Sequence, residues 1–304
     1  MGRARVEAAV LEVDSEIWLM LARGHGQDPL PMPSIMRSWL SSSRRLLTSS
    51  ETVITPPTMV AAPAGGLLYS LLHLGGYPGD LQFYSRHAKQ CVLELGAGDG
   101  RLAAALCDGQ RRYVGIEIDP ALSAKAAARV AADGNAEVRT ADFFVDELPD
   151  GVDTAILSSN VLFSTPRHAE LLGRCADALA PGGVLLLDVY NALLYLQEDE
   201  PVDAGGGGDD MLVRVTDELG RDWSCFERDP TIDTERQRIS QPYEFVSGGE
   251  TFQETLVHNY LLPEELSRAL DDLGLTVDST AGDFEGGAFD ANESEHVVVV
   301  ATKR

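Results

Sequence analysis

The stretch best equipped for chemistry is Val92-Leu-Glu-Leu-Gly-Ala-Gly-Asp-Gly-Arg-Leu-Ala103, where an apolar run breaks into glycines at 96, 98 and 100. Glycine permits a tight turn and lets backbone N–H groups approach a ligand with no Cβ in the way. Dinucleotide-binding loops use GxGxxG and rest a pyrophosphate on the next helix N-terminus. Here the spacing is GxGxG, position 101 is Arg, and Glu94 and Asp99 bracket the loop. Two carboxylates oppose a pyrophosphate but suit a cationic ligand with an amino-acid end.

That ligand description fits S-adenosylmethionine, whose sulfonium and α-amino groups are both positive. A glycine loop alone is often only a structural turn, so the residues downstream matter. Gly115-Ile-Glu-Ile-Asp-Pro ends a second apolar run with Glu117, placed where a carboxylate accepts hydrogen bonds from both ribose hydroxyls. The plain alternative for Glu117 is a solvated acid at a strand end. Ala141-Asp-Phe-Phe144 follows a third run; there Asp142 suits an adenine amino group and Phe143 the ring face.

With these residues in view, the chain resembles a class I S-adenosylmethionine-dependent methyltransferase of the small-molecule type. The glycine loop, Glu117, Asp142, Ser158-Ser-Asn-Val-Leu-Phe163 and Leu179-Ala-Pro-Gly-Gly183 match that family's motifs in order and spacing. Coverage is roughly 80–200. It extends more loosely over 259–304, through Tyr260-Leu-Leu-Pro-Glu-Glu-Leu and Gly282-Asp-Phe-Glu-Gly. Gly79-Asp-Leu-Gln-Phe-Tyr84 resembles a family element that covers the cofactor. The resemblance implies S-adenosyl-L-methionine held by Tyr84, Arg86, Glu94, Gly96, Ala97, Gly98, Glu117, Ile118, Asp142, Phe143 and Asn160. It implies no metal. It also implies a seven-stranded sheet whose last strand runs antiparallel.

Methyl transfer is an in-line displacement on an already activated sulfonium, so such an enzyme chiefly supplies proximity, alignment and dryness. A base is needed only where the acceptor must lose a proton. His168, in Thr165-Pro-Arg-His, and Tyr190, at the end of the fifth core strand, are the nominees for base or acceptor orienter. The plain alternatives are a surface helix-start histidine and a pocket-lining tyrosine. His73, His87 and His258 read as structural. The function expected is methyl transfer to nitrogen or oxygen of a small-molecule acceptor. The alternative is a non-catalytic or regulatory protein that binds the same cofactor. Aminopropyl transfer lacks its acidic cluster after the fourth strand, where Ser158-Ser-Asn160 stands. A nicotinamide-dependent oxidoreductase is disfavoured by the loop spacing.

The elements that must position these residues begin at Cys91. Strands at Cys91–Leu95, Tyr113–Ile118, Ala136–Arg139, Thr154–Leu157 and Val184–Val189 alternate with helices at Arg101–Leu106, Ala121–Ala132 and Ala169–Leu179, with a turn at Pro181-Gly-Gly. Near-continuous apolar strands between helices predict a parallel sheet covered on both faces. Residues 1–79 read as a helical layer: helices at 5–23, Ser34–Leu47 and Met59–Leu74, with no sheet of their own. Beyond the acid-flanked Gly205–Gly208 loop, segments 211–218, 223–227, 237–246 and 250–261 carry tight-turn glycines and predict antiparallel strands. A helix at Pro263–Leu273 and strands at Leu275–Val277 and Val297–Ala301 close the chain. The expected architecture is α/β: a Rossmann-like, seven-stranded, mostly parallel sheet with helices on both faces, an N-terminal helical layer and an inserted antiparallel β segment. Its divisions are 1–79, 80–200, 201–258 and 259–304, with the first and third as lid.

Composition narrows the partners. The chain has 304 residues, 44% hydrophobic and 24% charged, with a formal net charge of −24. Lysine occurs only at 89, 125 and 303. So acidic a surface repels polyanions, which disfavours nucleic acid and anionic membranes and leaves a small-molecule acceptor as the expected partner. The N-terminal helices offer a surface for a homodimer. Glu7, Glu12, Asp14 and Glu16 oppose a secretory signal, and no run of about 18 uninterrupted apolar residues predicts a membrane span. Cys91, Cys107, Cys175 and Cys225 form no CxxC pair, so a reducing cytoplasm is the expected compartment.

Overall fold

The computed structural model describes Thr58–Met59 and residues 76–196, 212–217 and 219–304. The helices expected at 5–23 and Ser34–Leu47, His73, and the loop Gly205–Gly208 lie outside the described residues, as does any dimer surface formed by those helices. The run expected to be helical from Met59 begins differently. Thr58–Met59 is a strand, β1, and the rest of that run also lies outside.

The core follows the apolar pattern closely. After α1 (Asp80–His87) come β2 (Cys91–Leu95), α2 (Arg101–Leu106), β3 (Arg112–Glu117), α3 (Pro120–Val130), β4 (Ala136–Thr140) and β5 (Val152–Leu157). A single 3₁₀ turn at Val161–Ser164 leads to α4 (His168–Ala178), β6 (Leu179–Tyr190) and a short α5 (Leu193–Leu196). The helix α3 begins where the sequence supplies a start signal. In α3, Pro120 sits at the first helical position, and the Asp119 carboxylate accepts from the N–H groups of Ala121 and Leu122 at 2.7 and 2.9 Å.

Beyond the insertion the chain returns with α6 (Pro263–Asp272), β12 (Leu275–Ala281) and β13 (His296–Lys303). The sheet order is β12-β13-β6-β5-β2-β3-β4, and β13 is antiparallel to both of its neighbours. This is the doubly wound arrangement expected, reversing direction between β2 and β5. Alternate residues of each central strand enter opposite layers. Leu93, Val114, Leu157 and Leu185 pack with Leu171, Leu172, Leu266 and Leu270 of α4 and α6. Val92, Tyr113, Ile156 and Leu186 pack with Phe83, Leu102, Leu106 and Val130 of α1, α2 and α3. Burial on both faces is why these strands read as unbroken apolar runs.

One local expectation fails. Pro181-Gly-Gly does not separate helix from strand but lies within β6, with Gly182 at φ 76° and a register shift opposite, between Val152 and Thr154. A bulge absorbs the turn residues without ending the ladder.

The insertion forms a second sheet, from β7 (Val213–Thr216), β8 (Asp222–Glu227), β9 (Thr231–Asp233), β10 (Arg238–Ser247) and β11 (Glu250–Asn259). Its order is β1-β11-β10-β8-β7, with β9 against β10, and all pairs within β7–β11 are antiparallel. Gly248 and Gly249, at φ 55° and 85°, make the two-residue hairpin turn that this twist favours. Trp223, Cys225, Tyr243 and Phe245 form its own small core. Two strands were not anticipated. β9 has three residues, too few for an alternating pattern to show. β1 has two, and it joins β11 in parallel through Thr58 and Glu250.

Candidate functional site

The glycine loop sits at the carboxyl end of β2, beside the switch point where open α/β sheets bind ligands. Gly96, Gly98 and Gly100 all adopt positive φ, at 77°, 57° and 84°. Two of them are also fixed by close approach. A Cβ on Gly96 would lie 2.7 Å from Val161 Cγ2, and one on Gly100 would lie 2.7 Å from Ala126 Cα. The first lets the loop after β5 close on the glycine turn; the second lets α2 pass α3.

Glu117 ends β3 facing this loop. Its Oε2 accepts from Gly98 N–H at 2.8 Å and its Oε1 from Asp119 N–H at 2.9 Å. The carboxylate therefore braces the turn while retaining lone pairs for further donors. Ile118 follows it and is 63% exposed. Asp142 and Phe143 lie half-buried after β4; the Asp142 carboxylate accepts from Phe144 N–H at 2.8 Å, and Phe143 packs edge-on to Phe144.

Other residues of the expected set are placed differently from each other. Glu94 is buried, accepting from the Tyr113 hydroxyl at 2.5 Å and the Ser158 hydroxyl at 3.1 Å. Burial raises it to about 7, against the pull of those two hydrogen bonds. Tyr84 is fully buried and donates to Asp188. Asp188 also accepts from Ser159 N–H at 2.8 Å, and burial raises it to about 6. Tyr84 thus fixes the loop after β5 from within the core rather than from the glycine turn. Arg86 is exposed in the last turn of α1. Asp99 pairs with Arg129 of α3 at 2.5 Å, so its charge is compensated within the protein.

Asn160 is the hub of the post-β5 loop. It and Ser159 adopt left-handed φ of 62° and 54°, uncommon for residues with a Cβ and concentrated at functional sites. Its Oδ1 accepts from Tyr190 N–H at 2.7 Å and its Nδ2 donates to the Tyr77 hydroxyl at 3.0 Å.

The two nominees for base occupy a separate cluster. His168 lies 2.7 Å through Nε2 from the Asn259 carbonyl, which can only accept, so that nitrogen carries the proton. The ring ties α4 to β11, and burial lowers its basicity. Tyr190 is 4% exposed, packed against Phe163, Tyr195 and His258, and burial pushes its hydroxyl far up. A phenol so desolvated is a poor proton acceptor at neutral pH.

Sequence reasoning missed Arg101. Its Nη2 pairs with the buried Asp80 at 2.7 Å, while Nη1, also buried, has no hydrogen-bond partner among the described residues. A Cβ on Gly76 would come 2.2 Å from that Nη1, so Gly76 leaves the space the guanidinium fills. The signal was available: an Arg directly after the third glycine, at the first position of α2. The carboxyl groups of Asp80, Asp188 and Glu94 lie within electrostatic reach of this one guanidinium.

Residues 93–185 match the family model described as a methyltransferase domain. A 3-hydroxy-5-methyl-1-naphthoate 3-O-methyltransferase of Streptomyces sahachiroi is 34% identical over 130 residues, 40% of this chain and 36% of that protein. The chain thus spans little more than a third of the curated relatives it matches first. Among solved structures, the CcbJ methyltransferase of Streptomyces caelestis aligns with a TM-score of 0.60 at 23% identity, over 76% of this chain and 92% of that one. CalS10, an amino pentose methyltransferase of Micromonospora echinaspora solved with S-adenosylmethionine bound, aligns at 0.51 and 19%, over 73% and 87%. The segment 93–185 thus resembles a methyltransferase domain, and the seven-stranded sheet that carries it has the fold of the solved methyltransferases it aligns with.

Proposed function

We propose that this protein transfers a methyl group from S-adenosylmethionine to the nitrogen or oxygen of a small-molecule acceptor. One observation supports the reading most: the Glu117 carboxylate holds the N–H of Gly98 at 2.8 Å, with exposed Ile118 beside it. That couples a ribose-binding acid, an apolar surface for the base and the glycine turn. In this reading Glu117 takes the ribose hydroxyls, while Ile118, Asp142 and Phe143 take the adenine. The Nη1 of Arg101, without a partner among the described residues, takes the carboxylate of the amino-acid end. The bound cofactor supplies an activated methyl group; the chain supplies orientation and exclusion of water.

Calorimetric titration with S-adenosylmethionine and, separately, NADH tests the reading. Binding of the first alone is expected, and Glu117→Ala should weaken it about tenfold or more, the loss of a charge-assisted hydrogen bond. Failure of the intact protein to bind S-adenosylmethionine sinks the proposal.

A further inference from the structure

One cavity has no residue of the glycine turn in its wall. It has a volume of about 500 Å³ and is walled by Tyr77 and Pro78 ahead of α1, by the β12–β13 connection, and by His296 at the start of β13. That size suits a small organic ligand. His296 pairs in register with Tyr190, so the cavity opens at the carboxyl end of β6. Tyr77 joins it to the site already described: its hydroxyl accepts from Asn160, and its N–H donates to Asp80, the partner of Arg101.

Two independent features give the cavity its chemistry. Its wall carries Asp283, Asp290, Glu293 and Glu295 and no Lys or Arg among the described residues. Asp283 accepts from the N–H groups of Glu285 and Gly287, and Asp290 from that of Asn292, so both carboxylates are held in place as fixed charges. The second feature is His296 itself. It is 7% exposed, and neither ring nitrogen has a hydrogen-bond partner among the described residues. Buried polar groups are normally satisfied, so an imidazole with both nitrogens open marks a place for a ligand. Burial lowers its basicity to about 4, so at neutral pH the ring presents one N–H and one lone pair rather than a positive charge. Tyr77 and Phe284 pack around it, at 4.4 and 5.5 Å between centroids, and keep the ring from water.

Resting on the methyl-transfer reading, we propose that this cavity is the acceptor site and that it takes a small organic amine. The carboxylates of the β12–β13 connection attract its ammonium form, and an amine N–H donates to the open lone pair of His296. An alcohol of the same shape brings no positive charge for the carboxylates to attract.

The test uses the full-length protein labelled with ¹⁵N-histidine and two probes of matched shape, benzylamine and benzyl alcohol. The His296 ring resonances are assigned by their loss in His296→Gln. Benzylamine is expected to shift them and to bind about tenfold more tightly than benzyl alcohol. His296→Gln and Glu293→Gln are each expected to weaken benzylamine several-fold, with S-adenosylmethionine affinity unchanged in the same samples. Equal binding of the two probes, no shift of the His296 ring, or benzylamine binding indifferent to both substitutions overturns the inference. In each of those cases retained S-adenosylmethionine binding leaves the methyl-transfer reading standing. Loss of cofactor binding in the unsubstituted protein overturns that reading instead.

Discussion

Arg101 and Tyr84 show how differently two polar residues near one loop are used. Arg101 spends one nitrogen on Asp80, and another, buried, has no partner among the described residues. Lysine at this site retains the ion pair but not a second donor in a fixed plane. Arg101→Lys should therefore weaken S-adenosylmethionine about tenfold with a small change in stability, read by calorimetry beside a thermal melt; unchanged affinity removes Arg101 from the site. Tyr84 has a single polar atom, and it is committed to Asp188 inside the core. Tyr84→Phe leaves the volume filled but takes a donor from a buried carboxylate. The expected cost is about 1–3 kcal/mol in urea unfolding, with cofactor affinity changed less than by Arg101→Lys. Were affinity to collapse while stability held, Tyr84 would belong to the cofactor contact that its position in the motif suggests.

At the scale of elements, the inserted sheet carries a carboxylate in an awkward place. Glu227 on β8 faces Tyr243 of β10, and burial raises it to about 7, with one oxygen unpartnered among the described residues. A carboxyl group raised on folding adds stability below its ordinary range and loses that contribution as pH climbs through 7. Glu227→Gln, which cannot ionise, should thus be nearly neutral near pH 5 and stabilising by about 1–2 kcal/mol near pH 8. Denaturant midpoints at the two pH values decide it, and a gain confined to pH 5 contradicts the assignment. Elements were legible wherever a pattern had length to show itself. Buried runs such as Cys91–Leu95 and the glycine turns of β10–β11 could be read directly. β1 and β9 could not, since two or three residues hold no period. The site divides the same way. Glu117 and the glycines come forward as candidates by spacing along the chain. His296 and the Asp80–Arg101 pair come together only when β13 and α1 pack beside β6 and β2, which spacing does not reveal.

Taken whole, the molecule carries a formal charge of −24 over 304 residues, from 48 Asp and Glu against 24 Lys and Arg. Repulsion among like charges weakens a compact state, and ions screen it over about 10 Å at 0.1 M salt. Raising sodium chloride toward 0.5 M should therefore lift the melting temperature by about 2–6 °C, in contrast to a chain held by exposed ion pairs. A flat or falling melting temperature would show that pairs such as Arg228–Glu244 outweigh the general repulsion.

The two-residue strand at Thr58–Met59 has a further consequence, for the order in which this molecule is made. Its seat is the Glu250–Thr251 end of β11, which is translated long after Thr58 has left the ribosome. The upstream segment cannot dock until most of the chain exists. The closure that joins them spans a long loop and belongs to the slow, non-local class of contacts. Synthesis that halts before residue 250 therefore leaves Thr58–Met59 without its native edge, and an open edge during translation is where a nascent chain is most in need of a chaperone.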